Sequence, residues 1–255
     1  MNFINVLKKL LIDSQIYVSL MGTFLATFFM LEQNTFRFPT FFLIFITYFS
    51  GYLYTKYQNS KYFIPILGLN VLAGAICVLL IIQNHNTARL IKWSIIVILG
   101  LLYNSKFLEV YIRKIPLLKV FYVGLVWGLV NSWLSFTEWN IQIFAITFLY
   151  ITALVLPFDI RDMKTDTIVT FPQLIGVQNT KSLAYLMIFA ATLVSTYFLK
   201  TDYSFAFLSS SIVAGILIYF ADSKKSDAYF SFWIETCCGL CLLFLLILQY
   251  FIHLQ

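Results

Sequence analysis

The chain has 255 residues, of which 61% are hydrophobic, 19% are aromatic and only 11% are charged. Soluble domains carry roughly 25% charged residues, so this composition excludes an ordinary soluble protein. The mean hydropathy is +0.87, and long apolar runs without period-2 alternation exclude a transmembrane β-barrel. The net charge of +6 does not by itself indicate nucleic acid, and we expect no nucleic-acid partner. The sequence predicts an all-α polytopic membrane protein surrounded by membrane lipids.

Nine apolar segments have lengths near the roughly 17–25 residues that a crossing helix needs. They are residues 10–31, 39–54, 65–83, 90–103, 117–134, 141–157, 183–199, 205–220 and 229–252. Lys8 and Lys9 precede the first segment as in a signal peptide, but that segment is too long for a signal sequence. We therefore predict about nine transmembrane helices in a single domain over residues 1–255.

The basic residues indicate how the segments are oriented. With the N-terminus inside, 13 Lys and Arg lie on the inner side and 4 on the outer side, which sums to all 17. Cytoplasmic loops carry such an excess of positive charge. The sequence therefore predicts a cytoplasmic N-terminus, in an integral protein of a bacterial inner (cell) membrane whose active face is cytoplasmic.

Three carboxylates, Asp159, Asp162 and Asp166, lie within eight residues between two apolar runs. In a helix their spacing of i, i+3 and i+7 would place them on one face. Converging carboxylates repel one another unless a cation lies among them, and Mg²⁺ shared with a phosphate-bearing substrate suits such a site. The alternative is a solvated loop in which the acids pair with Arg161 and Lys164.

The residues that follow extend this acidic stretch into a longer motif. The pattern Asp-Ile-Arg-Asp-x-x-x-Asp is followed by Thr170, Pro172, Leu174 and Gly176. Over about 25 residues it resembles the second aspartate-rich motif of the UbiA superfamily of intramembrane prenyltransferases. The layout of nine helices with the N-terminus inside resembles the same family over the whole chain, and the basic segment 104–124 resembles its central loop.

The resemblance implies a Mg²⁺-dependent enzyme that transfers a prenyl group from a prenyl diphosphate to an acceptor, often aromatic. Quinone, haem-type, tocopherol-like and lipid products all remain open. By the resemblance, the metal ligands and catalytic residues are Asp159, Asp162 and Asp166. The residues expected to contact the diphosphate are Arg161, Lys164 and Lys119. Interface anchoring is the alternative role of these basic residues.

The chain departs from the family where a first acidic motif is expected, at the inner end of the second segment. Residues 47–59 contain no carboxylate. Three hypotheses follow. A prenyltransferase with a reduced site would contact diphosphate through Lys56, Tyr52 and Tyr54. A catalytically inactive relative would bind a lipid or a partner. An unrelated protein would carry a lipid or a metabolite.

Further expectations concern residues outside the acidic stretch. Glu235, near the inner end of the ninth segment, is a spare ligand, a general base or, as we favour, a partner of Lys224 or Lys225. Gly124 and Gly128 form a Gly-x-x-x-Gly pattern that predicts close helix packing. For an enzyme, the inner ends of the second and sixth segments should face each other across a cavity.

Overall fold

The computed structural model describes residues 15–104, 115–166 and 168–253. Lys8, Lys9 and residues 105–114 of the basic segment lie outside these ranges. The described chain contains α-helices and two π-helical segments, but no strand, which confirms the all-α prediction. The α-helices are α1 (Ile16–Glu32), α2 (Phe38–Tyr57), α3 (Phe63–Gln83), α4 (Thr87–Asn104), α5 (Leu118–Leu129), α6 (Ile141–Asp162), α7 (Phe171–Phe198), α8 (Thr201–Phe220) and α9 (Glu235–His253). The π-helical segments are Val130–Leu134 and Tyr229–Ile234.

Each of the nine predicted segments corresponds to one helix, and within the described ranges six helices are long and apolar enough to cross a membrane. These candidate spans are Phe38–Tyr57, Phe63–Gln83, Ile141–Asp162, Phe171–Phe198, Thr201–Phe220 and Tyr229–Phe251. Two further apolar helices, Ile16–Glu32 and Leu118–Leu134, are shorter. The six spans indicate a polytopic membrane protein, whereas a count of nine crossings stays a prediction.

The helices form a closed ring. Each packs against the next along the chain, and α9 packs against α1. Helix α6 also contacts α8 and α9, and its fully buried Tyr150 joins them. The Tyr150 hydroxyl lies 2.9 Å from Ser210 Oγ and donates to Cys237 O over 3.1 Å. Helix α6 is therefore the most buried of the candidate spans, and it carries acidic residues at its end.

Close packing of α5 on α6 depends on Gly124 and Gly128. A Cβ atom on Gly124 would collide with Thr152 Oγ1 and lie 3.0 Å from Phe148 O, and a Cβ atom on Gly128 would lie 2.9 Å from the Phe144 ring. Small residues at helix interfaces let backbones approach closely, so the prediction from the Gly-x-x-x-Gly pattern is confirmed. This contact sets the distance between the start of α5 and the end of α6.

Gly124→Ala will lower the stability of the protein. The added methyl group meets backbone and a short side chain that cannot move aside, and overpacking of this kind costs about 1–3 kcal/mol. Gly68→Ala is the matched control, since a Cβ atom there has nothing within 4 Å. Thermal unfolding in detergent should show a lower midpoint for Gly124→Ala only. Equal midpoints for the two variants would contradict the close contact.

Candidate functional site

The start of α5 and the end of α6 meet at one end of the bundle, through ion pairs between Lys119 and two carboxylates. Lys119 Nζ lies 3.2 Å from Asp159 Oδ1 and 3.3 Å from Asp166 Oδ2. The side chain of Asp159 is only 2% exposed, whereas those of Lys119 and Asp166 are 26% and 31% exposed. A single ammonium group therefore holds one buried and one accessible carboxylate together.

A turn, and not a continuous helix, brings Asp166 back to Asp159. Helix α6 ends at Asp162, and the backbone N–H groups of Thr165 and Asp166 each donate to Asp162 O over 2.9 Å. The expected helical spacing of i, i+3 and i+7 therefore applies only to its first two members. Asp159 and Asp166 still meet, because the turn folds the chain towards Lys119.

Asp162 has a different partner. Arg161 Nε donates to Asp162 Oδ1 over 2.6 Å, and Arg161 Nη2 donates to Oδ2 over 2.8 Å. The guanidinium group also lies 5.2 Å and 5.6 Å from the ring centroids of Phe158 and Phe230. Bidentate pairs are strong and fix geometry. The structure thus brings together two of the three predicted acids and pairs the third with Arg161, as the solvated-loop alternative expected.

Glu235, at the start of α9, connects the ends of α2 and α6. It interacts electrostatically with Arg161 and with Lys56, and Tyr52 interacts with Glu235. The cations that influence Glu235 are therefore not the expected Lys224 and Lys225. Glu235 could be singled out from the sequence because it is an isolated carboxylate within an apolar segment. Its partners could not, because they depend on how α9 packs against the other helices. Lys164 is exposed and makes no ion pair with any residue that the structure describes.

These residues form one group, which we call the charged cluster. Its members are Lys56, Lys119, Asp159, Arg161, Asp162, Asp166 and Glu235.

The segment after Asp166 holds the turn in place. The Thr170 N–H donates to Gln173 Oε1 over 2.9 Å, and Gln173 Nε2 donates to Met163 O over 2.7 Å. Gly176 has φ 81° and ψ 160°, a conformation that is essentially restricted to glycine. It separates the first residues of α7 from the rest of that helix. The downstream part of the motif therefore shapes the backbone beside the charged cluster.

A cavity of about 380 Å³ lies between α2, α3, α4 and α5. None of the residues that line it carries a charge, and most are aliphatic or aromatic. Two helices that line it continue into the charged cluster, because Tyr52 precedes Lys56 by one turn on α2 and Tyr122 follows Lys119 by about one turn on α5. Helix α6 does not line this cavity, so a cavity between the inner ends of the second and sixth helices stays a prediction.

The acidic residues of the charged cluster are the candidate ligands for Mg²⁺. Within the described ranges, no group of three or more His, Cys, Asp or Glu side chains is arranged to hold a metal ion. However, Asp159 and Asp166 already direct one oxygen each at a shared cation, Lys119. Mg²⁺ is usually bound by one or two carboxylates together with substrate phosphates and water. The residues therefore fit a Mg²⁺ site that a phosphate-bearing ligand completes.

Comparisons of the chain with protein-family models, with curated protein sequences and with solved structures found no match. The function must therefore be inferred from the charged cluster and the cavity beside it.

Proposed function

We propose that the chain is an intramembrane prenyltransferase of UbiA type, which transfers a prenyl group from a prenyl diphosphate to an acceptor. One observation carries the proposal: a cluster of carboxylates and cations lies beside an uncharged cavity of about 380 Å³. A prenyl diphosphate has the matching division into an apolar tail and a highly charged head. The resemblance of residues 159–176 to a prenyltransferase motif supports the same activity.

The cavity suits the apolar part of the substrates. Its volume falls within the roughly 300–1,000 Å³ that is usual for small-molecule sites. Trp127 contributes an aromatic wall, with its ring centroid 4.7 Å from that of Tyr48 and 6.4 Å from that of Tyr52. Aromatic faces stabilise a nearby cation. When the bond between the allylic carbon and the diphosphate oxygen breaks, these rings would face the positive charge that develops on the prenyl group.

The charged cluster suits the diphosphate, but only with additional positive charge. It contains three cations and four carboxylates, so an anion would be repelled overall. Asp159 and Asp166 would hold Mg²⁺, with Asp162 nearby. Bound Mg²⁺ would neutralise the negative charge on the leaving diphosphate. Lys119, released from the two carboxylates, would then contact a phosphate oxygen, and Arg161 and Lys56 lie in the same cluster.

The reaction ends with loss of a proton from the acceptor. The electron pair of the broken C–O bond leaves with the diphosphate, and the acceptor carbon forms the new bond to the allylic carbon. The acceptor ring then loses a proton to a base, for which Glu235 is the candidate. Its charge is influenced by Arg161 and by Lys56, which makes it a member of the charged cluster.

Orientation follows from the distribution of basic residues. The charged end of the bundle is the side that carries 13 of the 17 Lys and Arg in the nine-helix layout. On the positive-inside rule we propose that this side faces the cytoplasm, where water-soluble diphosphate can leave. We propose a bacterial inner membrane as the location.

The second candidate function is binding without catalysis, in which the protein holds a prenylated lipid. Two observations favour it: Asp162 is held by Arg161 in a bidentate pair, and residues 47–59 supply no second group of carboxylates. This protein would bind a prenyl diphosphate but would not release diphosphate from it.

The test is turnover by the purified protein in lipid nanodiscs. Radiolabelled prenyl diphosphates of several chain lengths are incubated with a panel of aromatic acceptors, with Mg²⁺ or with EDTA. We expect Mg²⁺-dependent prenylated product, and an unchanged rate for Asp202→Asn, a control that removes a carboxylate at the start of α8. Binding without product would support the inactive protein. If the protein shows neither binding nor product, both proposals are overturned.

A further inference from the structure

Helix α2 connects the charged cluster with a second group of cations at the other end of the bundle. It carries Lys56 in its last turn and Arg37 at its N-cap. Its 20 residues span about 30 Å at a rise of 1.5 Å per residue, which matches the hydrocarbon thickness of a bilayer. Arg37 therefore lies about one membrane thickness away from the charged cluster.

Two lysines at this other end are held by backbone carbonyl groups. Lys92 is only 8% exposed, and its Nζ donates at 3.2 Å, 3.0 Å and 2.7 Å to the carbonyl oxygens of Trp133, Phe136 and Thr137. Lys200 Nζ donates to the carbonyl oxygen of the last residue of α1, Glu32. Cations are favourable near the C-terminal ends of helices, so both lysines have structural partners.

Two arginines lie instead at helix N-termini, where a positive charge is unfavourable. Arg37 is the N-cap residue of α2, Arg89 lies in the first turn of α4, and neither first turn contains an acidic residue. The charge of Arg89 is influenced by that of Arg37. Neither arginine forms an ion pair with a carboxylate that the structure describes. Two guanidinium groups and the positive ends of two helix dipoles thus lie together.

Arg89 connects the two helix N-termini and still has an unused donor. Its Nη1 donates to Thr40 Oγ1, in the first turn of α2, over 2.9 Å. Its Nε is buried and has no hydrogen-bond partner among the described residues. A guanidinium group has five N–H donors, and an orphaned buried donor in a native protein commonly marks a bound water or ion. The place where α2 and α4 begin therefore lacks an acceptor.

The surroundings of the two arginines are apolar and exposed. On α2, Phe38 is 70% exposed and Phe42, one turn further along, is 51% exposed, and on α4 Ile91 is 66% exposed. Such side chains are stable when they face acyl chains, whereas arginine heads beside them reach the level of the lipid headgroups. An acceptor at this level would be the phosphate of a molecule whose acyl chains cover Phe38, Phe42 and Ile91.

We infer that Arg37 and Arg89 form a binding site for the phosphate group of a phospholipid, whose acyl chains lie along the exposed faces of α2 and α4. Guanidinium groups bind phosphate oxygens with two parallel hydrogen bonds. Helix N-termini add their own attraction for phosphate. The inference goes beyond the proposed transfer reaction, because this site lies about 30 Å from the charged cluster and would bind lipid whatever the protein catalyses.

The test is native mass spectrometry of the protein in a neutral detergent, titrated with phosphatidylglycerol or with a diacylglycerol that has the same acyl chains but no phosphate. The first phosphatidylglycerol should bind more tightly than the first diacylglycerol. Arg37→Gln and Arg89→Gln should each weaken phosphatidylglycerol binding about fivefold to tenfold and leave diacylglycerol binding unchanged. Lys224→Gln is the matched control, since Lys224 is an exposed cation in the loop after α8.

Thermal unfolding gives a second readout and identifies the source of the phosphate. Arg37 is exposed, so Arg37→Gln should fold normally but show a smaller rise in midpoint with phosphatidylglycerol than the wild-type protein does. Phosphatidylglycerol binding that is equal in the wild-type protein and both arginine variants would overturn the inference, as would equal binding of diacylglycerol. If inorganic phosphate raises the midpoint as much as phosphatidylglycerol does, the site binds a free anion and the lipid assignment is wrong.

Discussion

Lys119→Met will sharply lower the proposed prenyl-transfer activity and destabilise the protein, and Mg²⁺ will partly restore its stability. In the structure, Lys119 contacts both Asp159 and Asp166. Its removal leaves a carboxylate that is 2% exposed without a counter-charge. Breaking buried pairs costs about 3–5 kcal/mol, and we expect about 2–3 kcal/mol here because Lys119 itself is 26% exposed.

The effect of Mg²⁺ distinguishes this explanation from a loss of packing. Without the ammonium group, the two carboxylates can share a divalent ion even when no substrate is present. Thermal unfolding in detergent should therefore show a larger Mg²⁺-induced rise in midpoint for Lys119→Met than for the wild-type protein. The double variant Lys119→Met/Asp159→Asn should be more stable than Lys119→Met alone, because it removes the unpaired charge. If Mg²⁺ raises the unfolding midpoint of both proteins equally, Asp159 and Asp166 do not share a cation position.

The activity of Lys119→Met should fall by about 100-fold or more, which is the usual effect of removing one group that stabilises developing charge. Lys119→Arg, which keeps the charge, should retain more activity than Lys119→Met. Equal activities of the two variants would show that the charge of Lys119 does not act on the diphosphate.

Asp159→Asn and Asp166→Asn will each reduce prenyl transfer far more than Asp162→Asn. The first two carboxylates converge on one cation position, whereas Asp162 forms a bidentate pair with Arg161. We expect losses of about 100-fold to 1,000-fold for the first two variants and about tenfold for Asp162→Asn. The rates are measured with saturating Mg²⁺ and prenyl diphosphate, so that a weakened affinity does not disguise the result.

The dependence of rate on Mg²⁺ concentration provides the control for this comparison. Asp159→Asn and Asp166→Asn should raise the Mg²⁺ concentration that gives half-maximal rate, whereas Asp162→Asn should leave it nearly unchanged. If Asp162→Asn is as damaging as the other two and raises the Mg²⁺ requirement, then Asp162 leaves Arg161 and becomes a ligand when substrate binds. Asp202→Asn should match the wild-type protein throughout.

The positions of the helices could be predicted from sequence because long apolar runs in a membrane protein can only satisfy their backbone groups as helices. The ends could not. Segment 141–157 was expected to end at Pro157, but α6 continues to Asp162, and α7 begins at Phe171, not at residue 183. Hydropathy detects only the apolar part of a helix, whereas its backbone hydrogen bonds continue into polar residues that lie at the membrane surface.

The candidate site was predictable only in part, for a related reason. The spacing of the acids predicted that all three share a metal ion on one helical face, whereas in the structure Asp159 and Asp166 share Lys119 through a turn. It could not identify Lys119, which is 40 residues away from Asp159 and reaches it through the close contact of α5 with α6. Tyr52 was named from the sequence as a diphosphate contact, but its hydrogen-bond partner Trp127, on α5, could not be identified there.

The most direct test of the central claim is calorimetric titration of the protein in nanodiscs with a prenyl diphosphate, with and without Mg²⁺. The charged cluster and the cavity predict tight binding that requires Mg²⁺, and much weaker binding of the matching prenyl alcohol and of inorganic diphosphate, each of which fills only one part of the site. Binding that is equally strong without Mg²⁺, or equally strong for the prenyl alcohol, would contradict the claim that the cluster recognises the diphosphate.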